Sequence, residues 1–105
     1  MSRVCYSRAA IRDLDHVWFD VFEASHSEET ASRYVSDFIE KIEAKARFAG
    51  SGSPLYFKDT FTGYYFIVFK SYMAFYRLDG ETMCIDRIIY GRRDYMRLLF
   101  GDLTE

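Results

Sequence analysis

Residues 64–95 read Y-Y-F-I-V-F-K-S-Y-M-A-F-Y-R-L-D-G-E-T-M-C-I-D-R-I-I-Y-G-R-R-D-Y, two aromatic and β-branched runs on either side of Asp79-Gly80. Asp-Gly accepts the positive φ angles of a tight type I′ turn, so the stretch predicts a β-hairpin. A two-residue loop sets Leu78 opposite Glu81, Tyr76 opposite Met83, Ala74 opposite Ile85 and Tyr72 opposite Arg87. One face then carries Tyr72, Ala74, Tyr76, Leu78, Met83, Ile85 and Ile89. The other carries Phe69, Met73, Phe75, Cys84, Ile88 and Tyr90, interrupted by Ser71, Arg77 and Asp86. Neither is the polar side of a half-solvated antiparallel sheet, so both faces need cover.

Outward from the hairpin, 105 residues make a single domain spanning 1–105, long enough to bury roughly 65% of its unfolded surface. A composition of 50% hydrophobic and 19% aromatic residues excludes disorder and leaves more ring surface than a small core hides. A net charge of -2 gives no global basic field, which disfavours direct binding of nucleic acid through its phosphates. No apolar run approaches the roughly 18 residues of a membrane helix. The N-terminus M-S-R-V-C-Y lacks the apolar stretch of a signal peptide, and Cys5 and Cys84 read as reduced core thiols, so the expectation is a soluble cytoplasmic protein.

Upstream, residues 3–6 form a short strand and Ser7 is the N-cap of a helix that opens at Arg8 and runs to about Ala24. Ile11, Leu14, Trp18, Val21 and Phe22 give it an apolar stripe with Trp18 at the middle. Ser25 with Glu28 fits a capping box for a second helix, whose stripe is Ala31, Tyr34, Val35, Phe38, Ile39, Ile42 and Ala46. The two helices should pack as an antiparallel hairpin. Gly50 and Pro54 punctuate the chain, residues 55–61 predict a strand, and the segment after Gly91 closes in a short helix with Tyr95, Leu98 and Leu99 inward. The fold class is therefore α+β: an N-terminal strand, a helical hairpin packed on an antiparallel sheet, and a short C-terminal helix.

Few residues have the spacing of a reaction centre. Asp13, His16 and Asp20 share a helical spacing but lack further soft ligands, so no metal and no cofactor is expected. Cys5 and Cys84 have neither C-x-x-C spacing nor a neighbouring base. Arg92, Arg93 and Arg97 follow Gly91 at the sheet's edge and are candidates for an acidic or phosphate-bearing partner surface, against local pairing with Asp86, Asp94 or Asp102. Arg87, within the sheet, suits a structural hydrogen-bond role. Phe69, Met73, Phe75, Ile88 and Tyr90 are candidates for an apolar groove that receives a partner's helix or strand.

At S-R-A-A-I-R-D-L (7–14), Y-M-A-F-Y-R-L-D-G (72–80) and R-I-I-Y-G-R-R-D-Y (87–95) the chain resembles toxins of the RelE/ParE superfamily, in its ParE branch. The resemblance covers nearly the whole chain and implies the toxin half of a type II toxin-antitoxin module. The implied partners are a cognate antitoxin, which wraps over the toxin in a hetero-oligomer, and DNA gyrase as target, with DNA reached only through the antitoxin and no membrane involved. The five groove residues are then antitoxin-groove candidates, and Arg92, Arg93 and Arg97 target-binding candidates.

RelE-like relatives imply a different activity, ribosome-dependent cleavage of messenger RNA. On that alternative Lys58 and Arg93 stand for basic groups and Tyr90 or Tyr95 for an acid/base, but Met73 occupies an expected arginine position, and charge stabilisation at a phosphate needs the whole set. Tyr90 and Tyr65 depart from the ParE pattern, which commonly has histidine and arginine there. A third reading is a protein that has lost toxicity and serves only as an antitoxin's partner in repression.

Overall fold

Ser7 ends one element and begins the next. In the computed structural model, which describes residues 3–48, 52–91 and 93–101, strand β1 (Arg3–Tyr6) runs into Ser7, and helix α1 (Arg8–Ser25) starts directly after it. The Ser7 hydroxyl accepts from the Ala10 N–H, the expected cap. Helix α2 (Glu28–Ala46) is capped by Ser27, which accepts from the Thr30 N–H. The capping box expected from Ser25 does not form: Ser25 is the last residue of α1, and its hydroxyl donates back to the Val21 carbonyl. Gly50, the expected C-cap, lies outside the described residues.

Four antiparallel strands follow: β2 (Ser53–Phe57), β3 (Thr60–Phe69), β4 (Tyr72–Asp79) and β5 (Thr82–Tyr90). The sheet order is β1-β5-β4-β3-β2, and β1 joins parallel to β5 at one edge, so the five-stranded sheet is mixed. The strand expected over 55–61 is two strands, because Lys58 takes the left-handed conformation (φ 56) and turns the chain at Lys58-Asp59. Gly63 sits inside β3 at φ 90, where the β2–β3 register slips. The Thr62 hydroxyl holds that irregularity by donating to the Leu55 carbonyl at 2.7 Å.

The central hairpin forms, but its register differs from the expected one. Asp79 pairs with Thr82, so the loop is Gly80-Glu81, and Leu78 stands opposite Met83 and Tyr76 opposite Ile85. A bulge at Asp86 then shifts the ladder, setting Phe75 opposite Arg87, Ala74 opposite Ile88 and Tyr72 opposite Tyr90. One inserted residue reverses the facing of everything beyond it. Ile88 therefore joins the helix-side core and Ile89 the opposite side, the reverse of the expectation.

Helices α1 and α2 cover one face. There Phe38 and Ile42 meet Tyr76, Met83 and Ile85, all fully buried, each such apolar side chain contributing roughly 1.5–3 kcal/mol. The buried row on α1 is Ala10, Asp13 and Val17, with Leu14 and Val21 beside it. Trp18, expected at the middle of the stripe, is half-buried and donates from Nε1 to the Ser32 hydroxyl, while Ile11 is exposed. The stripe is rotated because a carboxylate, Asp13, occupies the buried face. On the opposite side of the sheet helix α3 (Tyr95–Phe100), capped by Asp94, lays Tyr95, Leu98 and Leu99 against Phe75, Ile89 and Leu55.

Candidate functional site

The site grows from the point where β1 stops. β1 pairs with β5 only as far as Tyr6 and Ile85, which leaves the outer edge of β5 without a strand over its second half. Side chains from the first turns of α1 take over. The Ser7 hydroxyl donates to the Asp86 carbonyl at 2.7 Å. Asp13 accepts from the Ile88 N–H at 2.8 Å and from both arms of the Arg87 fork at 2.8 and 3.2 Å. A buried carboxylate thus finishes a strand edge and neutralises a sheet arginine at once, and this bond holds the Arg87 guanidinium above its ordinary pKa.

Beside this pair lies a small cleft of about 80 Å³ between α1 and the end of β5, lined by Asp13, His16, Asp20, Tyr72, Tyr90 and Arg93 among others. Asp20 accepts from the Tyr72 hydroxyl at 3.0 Å, and burial together with that bond pushes the Tyr72 phenol well above its usual range. Asp13, His16 and Asp20 do share one helix side, as their spacing requires, but the two carboxylates hold protein donors. Sequence reasoning weighed Asp13 only as a metal ligand. The signal that it was structural was its position between Ala10 and Val17, where an apolar residue belonged.

Across the sheet a second carboxylate, Asp86, takes Arg77 at 2.7 and 3.3 Å and the Tyr64 hydroxyl at 2.7 Å. Burial opposes its ionisation, but the bonds from Arg77 and Tyr64 outweigh it and hold its carboxyl below the usual range. Burial and the same bond push the Tyr64 phenol up. This triad was not foreseen, because Asp86 occupies the bulge that the expected register lacked.

Of the arginine cluster, Arg92 lies outside the described residues. Arg93 is exposed in the turn between β5 and α3, its N–H bonded to the Tyr90 carbonyl, and it reaches the cleft beside α1. At the start of that turn the Gly91 N–H meets the Ser71 carbonyl at 2.8 Å. Arg97 is exposed on α3 and pairs with Asp94 at 3.7 Å. Of the local pairings weighed for the cluster, this one is present; Asp86 belongs to Arg77 instead, Arg87 to Asp13, and Asp102 lies outside the described residues.

The five groove candidates do not share a surface. Phe69 and Ile88 are helix-side core, Phe69 stacked on Phe38 at 4.7 Å. Phe75 is fully buried beneath α3, its ring 5.3 Å from Tyr95, and Met73 packs with it. Tyr90 alone of the five is exposed, edge-on to Tyr72. An open aromatic surface lies elsewhere, at the β2–β3 margin, where Pro54, Tyr56, Phe61 and Tyr65 line a shallow groove of about 390 Å³. Tyr56 and Phe61 are 55% and 42% exposed there, a large ring surface to leave in water.

The residues of the nuclease alternative stand on different elements. Lys58 is in the β2–β3 turn with its ammonium over the Phe57 ring, Arg93 and Tyr90 line the α1 cleft, and Tyr95 on α3 packs against Phe75 on the other face of the sheet.

A mixed sheet with a helical hairpin on one face and a short helix on the other defines an α+β sandwich of the RelE/ParE type. The chain belongs to the ParE toxin family of type II toxin-antitoxin systems (parDE), whose family model matches residues 4–95. No curated protein matches it. Among solved structures it is similar to the chromosomal ParDE TA system from P. aeruginosa, 23% identical, with 86% of this chain and 96% of that chain covered and a TM-score of 0.70. It is also similar to the RelB-RelE antitoxin-toxin complex from Methanococcus jannaschii, 18% identical, with 91% and 98% covered and a TM-score of 0.52. At these identities the two structures speak for the fold.

Proposed function

We propose that this ParE-family chain arrests growth by binding DNA gyrase in the cytoplasm, and that a cognate antitoxin neutralises it by covering its exposed apolar surface in a toxin-antitoxin hetero-oligomer. The observation that carries the reading is the family match across residues 4–95. Two features are consistent with binding in place of chemistry. Of the residues that cleavage of RNA would need, Arg93 and Tyr90 line the cleft beside α1 while Lys58 and Tyr95 stand elsewhere, and acid/base work needs each group within hydrogen-bond reach of the proton it moves at one bound phosphate. The exposed arginines at the β5–α3 margin suit electrostatic encounter with an acidic partner surface. The uncovered rings at the β2–β3 margin give an antitoxin apolar area to bury, and DNA meets the toxin only through that partner.

The test uses the purified chain in two assays, gyrase supercoiling of a plasmid and a translation extract probed for cut messenger RNA. Inhibited supercoiling with intact message is the expected outcome. Codon-phased cleavage with unaffected supercoiling replaces this reading with the nuclease one, and inactivity in both assays favours a partner that acts only in repression.

A further inference from the structure

The two cysteines stand at opposite ends of the chain, and the fold sets them side by side. β1 and β5 run parallel with Cys5 directly opposite Cys84. Neighbouring strands lie about 4.8 Å apart, inside the window of roughly 4.4–6.8 Å between Cα atoms that a disulfide spans. Strand alternation puts both side chains on one face. Val4, Tyr6, Met83 and Ile85 all pack into the helix-side core, so Cys5 and Cys84, one step along from each, point the other way. Both thiols are free, Cys5 exposed and Cys84 half-buried. The row continues to Arg77, opposite Cys84 on β4.

We propose that Cys5 and Cys84 form a redox-active dithiol that closes reversibly into a disulfide between β1 and β5 when a low-molecular-weight disulfide such as oxidised glutathione is supplied. The order of events follows exposure. The Cys5 thiolate, open to solvent, attacks one sulfur of the small disulfide; its S–S bond breaks and one small thiol leaves, with a proton from water. Cys84 then loses its proton to solvent and attacks Cys5 Sγ, forming the cross-strand bond and expelling the second small thiol. Two protein thiols are oxidised and one small disulfide is reduced to two thiols. Hydrogen bonding with Cys5, together with burial, pushes the Cys84 thiol up to about 11, which leaves it little thiolate for attack on a free disulfide and makes Cys5 the first to react. In the second, intramolecular step the attacked sulfur is already adjacent, and effective concentration replaces a large thiolate fraction.

Closure adds a covalent tie to the edge strand β1, held already by its ladder to β5 and by Val4 and Tyr6 in the core, and closes a loop of about 80 residues, a size at which a cross-link strongly constrains the unfolded chain. Resistance to unfolding then depends on thiol state, whether or not the toxin reading holds.

The experiment treats the reduced full chain with oxidised glutathione, then alkylates with iodoacetamide and weighs the intact protein and its peptides. The expected product is monomeric, lighter by two hydrogens, unlabelled at both cysteines, and melts ~10 °C or more above the reduced chain. Cys84→Ser should stop at a glutathione adduct on Cys5. The proposal is overturned by a wild-type product that keeps glutathione on Cys5 with Cys84 still alkylated, by a covalent dimer through Cys5, or by a closed form that melts no higher than the reduced one. The wild-type mass decides the chemistry even if the serine variant folds poorly.

Discussion

Among the described residues three aspartate–arginine pairs stand at three depths. In the pair of α1 and β5 the side chains are 10% exposed for Asp13 and 31% for Arg87. In the triad on the opposite face the values are 20% for Asp86 and 55% for Arg77, and on α3 they are 64% for Asp94 and 68% for Arg97. The chemistry is the same each time, but the consequence of losing a partner grows as water is withdrawn. Arginines near the interior serve the fold, and of these three pairs stability leans least on the one on α3.

The largest effect tests the deepest pair. Asp13→Ala strands the Arg87 charge and leaves the Ile88 N–H without its acceptor, so urea titration should show a loss of about 3 kcal/mol, the lower end for a broken buried pair because Arg87 keeps some water. Asp13→Asn retains an acceptor and should lose clearly less. Equal losses in the two variants would mean that the charge contributes nothing and the comparison by depth fails.

The intermediate pair should give an intermediate loss. Arg77→Ala leaves Asp86 its Tyr64 bond and should cost about 1 kcal/mol. Its pH dependence sharpens the point. Because the folded carboxyl of Asp86 titrates below its unfolded value, its stabilisation is complete above the usual carboxylate range and is lost as pH falls through the folded pKa. Arg77→Ala should therefore lose less on acidification than the parent chain, as melts between neutral and acid pH would report. Parallel acid profiles would detach Asp86 from the stability of the fold.

The smallest structural effect belongs to the outermost arginines. Replacing Arg93 and Arg97 together with Ala should change unfolding free energy by no more than about 0.5 kcal/mol, the range for exposed sites, while relieving growth arrest on expression. A stable double variant that still arrests growth would move the working surface away from this margin, and the aromatic groove at Tyr56 and Phe61 would be the next to mutate.

Legibility followed the distance over which each signal acts. Both long helices, the Ser7 cap, the α2 stripe and the inward face of α3 were readable, because periodicity and capping are set within a few residues. The two-helix hairpin followed from them, whereas the sheet after it has four strands where three were expected. Errors gathered in the sheet and at the site. The Lys58-Asp59 turn carries neither Gly nor Pro, so residues 55–61 read as one strand. The grouping of Phe69, Met73, Phe75, Ile88 and Tyr90 as a groove failed because it assumed an unbroken ladder. Trp18 was placed too deep because the stripe was assumed to be wholly apolar.

What the sequence determined by itself is the family, the α+β class and the local elements, since residue pattern and short-range hydrogen bonding carry that information. Tertiary structure alone decided the rest. The bulge at Asp86 coincides with the place where β1 ends and Ser7 and Asp13, far away in the chain, reach the edge of β5. The same crossing brought Cys5 to Cys84 and separated Lys58 from Arg93. These are contacts between segments that share no local pattern, and only the closure of the sheet against α1, with its burial of Asp13 and Arg87, selects one register among those that local preference allows.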